Sequence, residues 1–230
     1  MTSPEEHAAQ LAAEAIAGDD PTGWFEQVYA AAEAGQAVVP WDRAAPSRWL
    51  TEWATRQNLS GNSRNAVVVG CGTGDDAEFF AGLGFATTAF DISPSAVRTA
   101  QRRYPGSAVR YTTADLLHLP DAWHQAFDLV VESMTLQALP DPPRDAAIAA
   151  VGTLVAPGGT LIVMARARDP HELVAGPPWA LTRAEIDALS ESGLQQVRVE
   201  DLRDTGPPLA RRWRAEFRRP AGRTGGPASG

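Results

Sequence analysis

The hydrophobic pattern changes character near residue 60. Before it, apolar positions recur at helical spacing in an alanine-rich, polar background. Ser3, Pro4 and Glu6 form a capping box with proline at the first helical position, which predicts a helix running to the Gly18-Asp19-Asp20-Pro21 break. A second helix follows over Gly23 to Glu33, with Trp24, Phe25, Val28 and Tyr29 on one stripe and Gly35 closing it before the extended Val38-Val39-Pro40-Trp41-Asp42. A third, from about Ala45 to Gln57, aligns Trp49, Leu50 and Trp53.

From Asn65 onward, short apolar runs alternate with amphipathic segments, the signature of βα units around a parallel sheet. Strands are predicted over Ala66 to Val69, Ala86 to Phe90, Val109 to Thr112, Leu129 to Val131 and Thr160 to Ala165. Intervening helices begin near Gly74, Ser93 and Pro143, and Asp121 to Ala126 supplies only a short helical turn. After Gly176-Pro177-Pro178, a second capping box at Thr182 and Glu185 opens a helix that ends at Gly193. Val197 to Leu202 and Trp213 to Phe217 then alternate as an antiparallel pair. The fold class is therefore α/β: a Rossmann-like, seven-stranded, mostly parallel sheet with helices on both faces, an antiparallel C-terminal hairpin and an N-terminal helical lid. Residues 1–219 are expected to form one domain, with the lid over 1–57 and the core over 58–219; the tail 220–230 lacks large apolar residues and is expected to be disordered.

Composition narrows the chemistry. At 230 residues, 44% hydrophobic and 21% charged, the chain has room for one sizeable core. Its apolar runs fall far short of the roughly 20 residues that cross a bilayer, and the acidic N-terminus is unlike a secretion signal, so a cytoplasmic location without membrane contact is expected. The single cysteine, Cys71, leaves no internal disulfide and no cysteine-based zinc site, and no metal is expected from the spacing of the four histidines. All twenty basic residues are arginine, which excludes lysine Schiff-base and P-loop chemistry. A net charge of −8 weighs against a nucleic-acid partner. The local cluster Arg211, Arg212, Arg214, Arg218 and Arg219 is expected to mark a strand edge, with an anion contact as the alternative.

The strongest local signal is Val67-Val68-Val69-Gly70-Cys71-Gly72-Thr73-Gly74-Asp75, a buried strand entering a glycine turn that opens a helix. Gly70, Gly72 and Gly74 let backbone pass close to a ligand. Asp91 closes the next strand, placed to accept from both hydroxyls of a ribose, and Asp115 follows the third strand, placed for an adenine amino group with the Leu116 amide beside it. Singly, each is equally a tight turn, a helix cap or a loop acid. Together they describe an adenosine pocket at the carboxyl ends of parallel strands. Asp75 and Asp76 stand where a dinucleotide fingerprint needs a small residue, and they disfavour a pyrophosphate at that helix N-terminus. S-adenosyl-L-methionine, cationic and free of phosphate, suits the position.

On these residues the chain resembles the class I S-adenosylmethionine-dependent methyltransferases over roughly residues 24 to 219. Within that class it is similar to the thiopurine, halide and thiol methyltransferase superfamily. The resemblance rests on Pro40-Trp41-Asp42 with Ala45-Pro46, VVVGCGTGDD, Phe90-Asp91-Ile92-Ser93-Pro94-Ser95-Ala96, Phe127-Asp128-Leu129-Val130, Ala138-Leu139-Pro140, Leu154-Val155-Ala156-Pro157-Gly158-Gly159 and Gly176-Pro177-Pro178-Trp179. It implies that Trp41 and Trp24 enclose the sulfonium, which a cation over an indole face favours, and that Ile92 joins the cofactor site. Where the family has an Asp-Arg pair after the fourth strand, this chain has Glu132-Ser133.

Methyl transfer needs alignment and dryness more than a strong base. A lid carrying Trp24, Trp41, Trp49 and Trp53 would exclude water, although Trp49 and Trp53 fit helix packing better. A thiol acceptor ionises with little help. For a hydroxyl or ring nitrogen, the candidate bases are Glu132, His171 and Asp42, and Glu132 is equally placed for the cofactor's amino group; His118 and His124 are expected to be exposed. The expected activity is methylation of a small-molecule nucleophile, foremost a thiol or a chalcogen or halide acceptor, by a monomer or homodimer. Alternatives are O- or N-methyl transfer, an NAD(P)-dependent oxidoreductase and a non-catalytic cofactor-binding protein.

Overall fold

The computed structural model describes residues 3–174, 176–204 and 210–222. Helices α1 (Pro4–Ala17), α2 (Gly23–Glu33) and α3 (Arg48–Arg56) precede strand β1 (Asn65–Val69). Then α4 (Asp75–Gly82), β2 (Ala86–Asp91), α5 (Pro94–Arg103), β3 (Arg110–Thr113), β4 (Phe127–Ser133), α6 (Pro143–Thr153) and β5 (Val155–Arg166) alternate. The chain closes with α7 (Arg183–Asp187), β6 (Gln195–Arg203) and β7 (Arg211–Arg218). Both capping boxes form: Ser3 and Glu6 bond reciprocally at α1, as do Thr182 and Glu185 at α7.

The seven strands make one sheet in the order β3-β2-β1-β4-β5-β7-β6. The first five are parallel, and β7 runs antiparallel to both β5 and β6. Side-chain alternation sorts the core into two layers. Val67 and Val69 of β1 face one cluster, with Ile148 and Val151 of α6. Ala66 and Val68 face the other, with Leu50 and Trp53 of α3 and Phe80 of α4. A third, smaller cluster joins Ala8 and Ala12 of α1 to Trp24, Val28 and Tyr29 of α2, and reaches Ala96 of α5.

One expectation is corrected. The arginine-rich stretch at 211–219 is not an edge: β7 lies between β5 and β6, and Arg214 is 1% exposed with its Nε donating to Glu200 at 2.7 Å. A sheet closed by a short antiparallel pair buries whichever strand is inserted, and periodicity within that strand cannot show the insertion. Trp49 and Trp53 are packing residues, the reading their spacing favoured: both sit against the sheet cluster, and Trp53 Nε1 donates to Glu216 at 2.8 Å. The predicted tail at 220–230 lies, from residue 223, outside the described residues.

The N-terminal helices are tied to the core by charge. Glu26 accepts from Ser93 Oγ at 2.5 Å and from the Ser95 hydroxyl at 2.7 Å and amide at 3.1 Å. Glu33 pairs with Arg98 and Arg102, and Asp42 pairs with Arg103 at 2.5 Å. One face of α5 thus anchors the whole stretch from α2 to the Pro40-Trp41-Asp42 segment.

Candidate active site

A cavity of about 390 Å³ runs along the carboxyl ends of the parallel strands, where the strand order reverses between β1 and β4 and a crevice opens. Its floor is the turn after β1. Gly70 and Gly72 have φ of +58° and +53°, and a Cβ at Gly72 would lie 2.8 Å from the Tyr29 hydroxyl. Only glycine holds this backbone while leaving the space above it open. The turn is braced from three sides: the Cys71 amide donates to Phe90 O at 2.9 Å, the Gly72 amide to Asp91 at 2.9 Å, and Thr135 Oγ1 to Val69 O at 3.1 Å.

At one end lie Asp91, Ile92, Asp115 and Leu116. Asp91 is nearly buried and accepts one backbone N–H on each carboxylate oxygen, from Gly72 and from Ser93. Each oxygen keeps a free lone pair for a ligand hydroxyl. Burial, against the pull of the backbone amides of Ser93, Gly72 and Ile92, raises its pKa to about 6. Asp115 accepts from the Leu117 amide at 2.8 Å and lies 2.7 Å from Nδ1 of His118, which is exposed.

Aromatic side chains roof this end. Trp24 is 1% exposed, stacks on Phe25 at 4.1 Å and meets the edge of Trp41 at 5.8 Å. Trp41, 41% exposed, donates from Nε1 to the Tyr29 hydroxyl at 2.8 Å. Trp24 Nε1 is buried with no partner among the described residues, so the wall presents an unmet donor. The left-handed turn, the two spare lone pairs of Asp91 and this orphaned indole N–H fit an adenosine-type ligand.

Gly70, Gly72, Trp24, Trp41, Asp42, Asp91, Ile92, Asp115 and Leu116 all line the cavity; Gly74, Glu132 and His171 do not. Gly74 caps α4 from below, against the Tyr111 hydroxyl. Glu132 is fully buried and folds back to accept the Thr135 and Leu136 amides at 2.7 and 2.9 Å; its other oxygen is unpartnered, and burial raises its pKa to about 7. His171 sits on an exposed loop. Asp42 is spoken for: Arg103 holds it, lowering its pKa, and Thr73 and the Ala44 amide also donate to it. Arg103 also grips Asp75 at 3.1 Å. The acidic turn expected to face a cation therefore presents Asp76 rather than a pair of free acids. Burial raises the Asp76 pKa, and its carboxylate takes the Ser47 amide at 2.7 Å.

Sequence reasoning missed Tyr29, Arg103 and Thr135. Tyr29 lies on an apolar helical stripe, where the spacing signals packing alone, and Arg103 acts across 61 positions of sequence. It also missed the far end of the cavity, where Ser133, Met134, Arg166 and Arg212 gather from β4, the turn after it, β5 and β7.

Residues 66–159, which include the glycine turn, Asp91, Asp115 and the strands that carry them, match the family model for the methyltransferase domain. These residues are similar to a methyltransferase domain. An uncharacterized methyltransferase of Mycobacterium tuberculosis is 38% identical over 98 residues, 42% of this chain and 47% of that protein. A ubiquinone biosynthesis O-methyltransferase of Thiobacillus denitrificans is 33% identical over 114 residues, 49% of this chain and 46% of that protein. The chain thus spans about half the length of the curated relatives it matches. The N-methyltransferase NodS of Bradyrhizobium japonicum, solved with S-adenosyl-L-homocysteine, superposes with a TM-score of 0.63 at 25% identity, covering 85% of this chain and 98% of that one. The matched stretch supplies the floor of the cavity and the end that holds Asp91 and Asp115. The roof from α2 and the Pro40-Trp41-Asp42 segment, and the far wall from β7, fall outside it.

Proposed function

We propose that the protein is an S-adenosylmethionine-dependent methyltransferase acting on a small nucleophile, foremost a thiol or other chalcogen acceptor. One observation carries the reading: a cavity joins an adenosine-type end, roofed by two tryptophans, to a far end that holds arginines and, among the described residues, no imidazole.

In this reading Asp91 accepts from the ribose hydroxyls and Asp115 with the Leu116 amide faces the adenine. The glycine turn allows the ligand's backbone-length approach, and Trp24 and Trp41 cover the reacting end against water. When bound, S-adenosylmethionine supplies the methyl group on a sulfonium together with its leaving group, a neutral thioether. The protein's task is alignment of the acceptor for in-line displacement. The new bond forms from a thiolate sulfur to the methyl carbon as the sulfonium–methyl bond breaks, and the two opposite charges cancel. The carboxylates beside the glycine turn are committed or shifted: Asp42 and Asp75 are held by Arg103, and burial pushes the Asp76 pKa up. An acceptor that ionises near neutrality suits such a site better than an alcohol. The second reading, O-methyl transfer, draws support from the matched O-methyltransferase and would use Asp76 as base.

Calorimetric titration with S-adenosylmethionine, S-adenosylhomocysteine and NAD, followed by a labelled-methyl screen of thiols, phenols, halide and tellurite, tests both. Binding of the two sulfur nucleosides and methylation of thiols is the expected result. NAD binding alone overturns the reading, and turnover of phenols without thiols selects the second.

A further inference from the structure

Arg166 and Arg212 stand directly opposite each other on neighbouring strands, as registered partners of the β5–β7 ladder. Directly opposed like charges weaken a sheet, yet here two guanidinium groups are placed side by side at the wall of the cavity. Arg212 is 5% exposed; it donates to Asp204 at 3.0 Å, but its Nε is buried with no partner among the described residues. Asp204 is the acid at this corner, and it is shared with Arg48 as well. Arg166 makes no ion pair among the described residues; its backbone amide donates to the Gln137 side chain at 2.5 Å and its carbonyl accepts from the Leu181 amide at 2.8 Å, while its guanidinium has no hydrogen-bond partner among the described residues. Arg43, also on the cavity wall, adds a third positive charge without an ion pair among the described residues. Burial, then repulsion from Arg212 and Arg43, lowers the pKa of Arg166, with Asp204 opposing. A guanidinium remains charged under such pressure.

The cross-strand pair lies well away from the adenosine end. Asp91 ends β2, and three strand steps separate β2 from β5, about 14 Å at the usual spacing. The reacting methyl would fall between them, above the turn after β1.

We propose that Arg166 and Arg212 form an acceptor-specificity site that selects small acceptors carrying a carboxylate. A planar carboxylate bridging the two forks would cancel the repulsion between the strands, meet the orphaned Nε of Arg212 and orient the nucleophile toward the adenosine end. The inference rests on the methyltransferase reading and names the substrate class of that same site.

The test compares thiosalicylate with thiophenol, which share an aryl thiol and differ in the carboxylate. Each is titrated into the protein saturated with S-adenosylhomocysteine, so that binding is read without turnover. The parent is expected to prefer thiosalicylate by at least about tenfold in Kd, the strength of one charge-assisted pair. Arg166→Met should abolish that preference, and Arg166→Lys should restore part of it. The Kd for S-adenosylhomocysteine should not move in either variant. Arg166 has no ion partner to orphan, and circular dichroism of both variants checks the fold. Equal binding of the two thiols by the parent overturns the proposal. So does a loss of S-adenosylhomocysteine affinity in Arg166→Met, which would place the arginine on the cofactor's own carboxylate. The labelled-methyl assay separates the two levels. Turnover of 4-hydroxybenzoate over phenol, with no thiol turned over, sinks the thiol reading while the carboxylate preference stands. Turnover of both thiols at equal efficiency sinks the carboxylate preference while the methyltransferase reading stands.

Discussion

Replacing Asp91 with asparagine should make the protein more stable above pH 6 and a worse binder of its cofactor. The carboxyl is nearly buried, and its folded pKa is raised from 3.8 to about 6. A shift of about two units corresponds to about 3 kcal/mol. The sign follows from linkage: a carboxyl whose folded pKa lies above its unfolded one holds its proton longer in the folded state. The parent therefore loses stability as pH rises from about 4 to about 6, and the full penalty remains above that. Asparagine carries no such penalty. It keeps one acceptor for the Gly72 or Ser93 amide and leaves the other amide facing its own N–H₂, a loss of about 1 to 3 kcal/mol that does not vary with pH. Urea unfolding of parent and variant should thus show the stability difference moving by about 3 kcal/mol in the variant's favour between pH 4 and pH 7. S-adenosylhomocysteine binding should go the other way. Losing the charged acceptor for two hydroxyls costs about 2 kcal/mol or more, some thirtyfold in Kd at pH 7. The parent's own Kd should rise about tenfold on going to pH 5 as Asp91 protonates, while the variant stays flat. If the variant gains stability as described and binds S-adenosylhomocysteine as tightly as the parent at every pH, Asp91 is only a strut for the glycine turn.

Glu132→Gln is the companion control: its pKa of about 7 predicts a stability difference moving by about 3 kcal/mol between pH 4.5 and pH 7. S-adenosylhomocysteine affinity should be unchanged, and a large loss would mean that its unpartnered oxygen reaches the ligand. Gly72→Val should remove cofactor binding outright, because a β-branched side chain at φ +53° is strained and its Cβ would press on the Tyr29 hydroxyl; calorimetry showing a bound cofactor would reduce the turn to a plain connection. Removing residues 1–20 should be mild, whereas removing residues 1–43 should leave a folded sheet without activity, since Trp24, Trp41 and Asp42 go together. Hydrogen exchange should show the amides of 21–47 slowing when S-adenosylhomocysteine binds. Equal protection with and without it would leave the tryptophans as ordinary packing.

Much of this was legible in the order of residues, because the relevant forces are local. Capping boxes at Ser3 and Thr182, the proline-started helices, the left-handed turn at Gly70 to Gly74 and the alternation of Val67 to Val69 each depend on neighbours within a few positions. So the seven strands, their helices and the gathering of Gly70, Gly72, Asp91 and Asp115 on one cavity could be placed from sequence. What only the folded chain decided depends on partners far apart in sequence. The insertion of β7 beside β5 turned a supposed edge into a buried strand and set Arg212 against Arg166 across the ladder. Arg103 claimed Asp42 and Asp75, which sequence left as free acids. Glu132 turned inward to cap its own turn, and His171 fell on an exposed loop, although both stand near the motif segments in sequence. Electrostatic roles of this kind are set by what lies within about 4 Å in space, and a periodicity or a spacing carries no record of that distance.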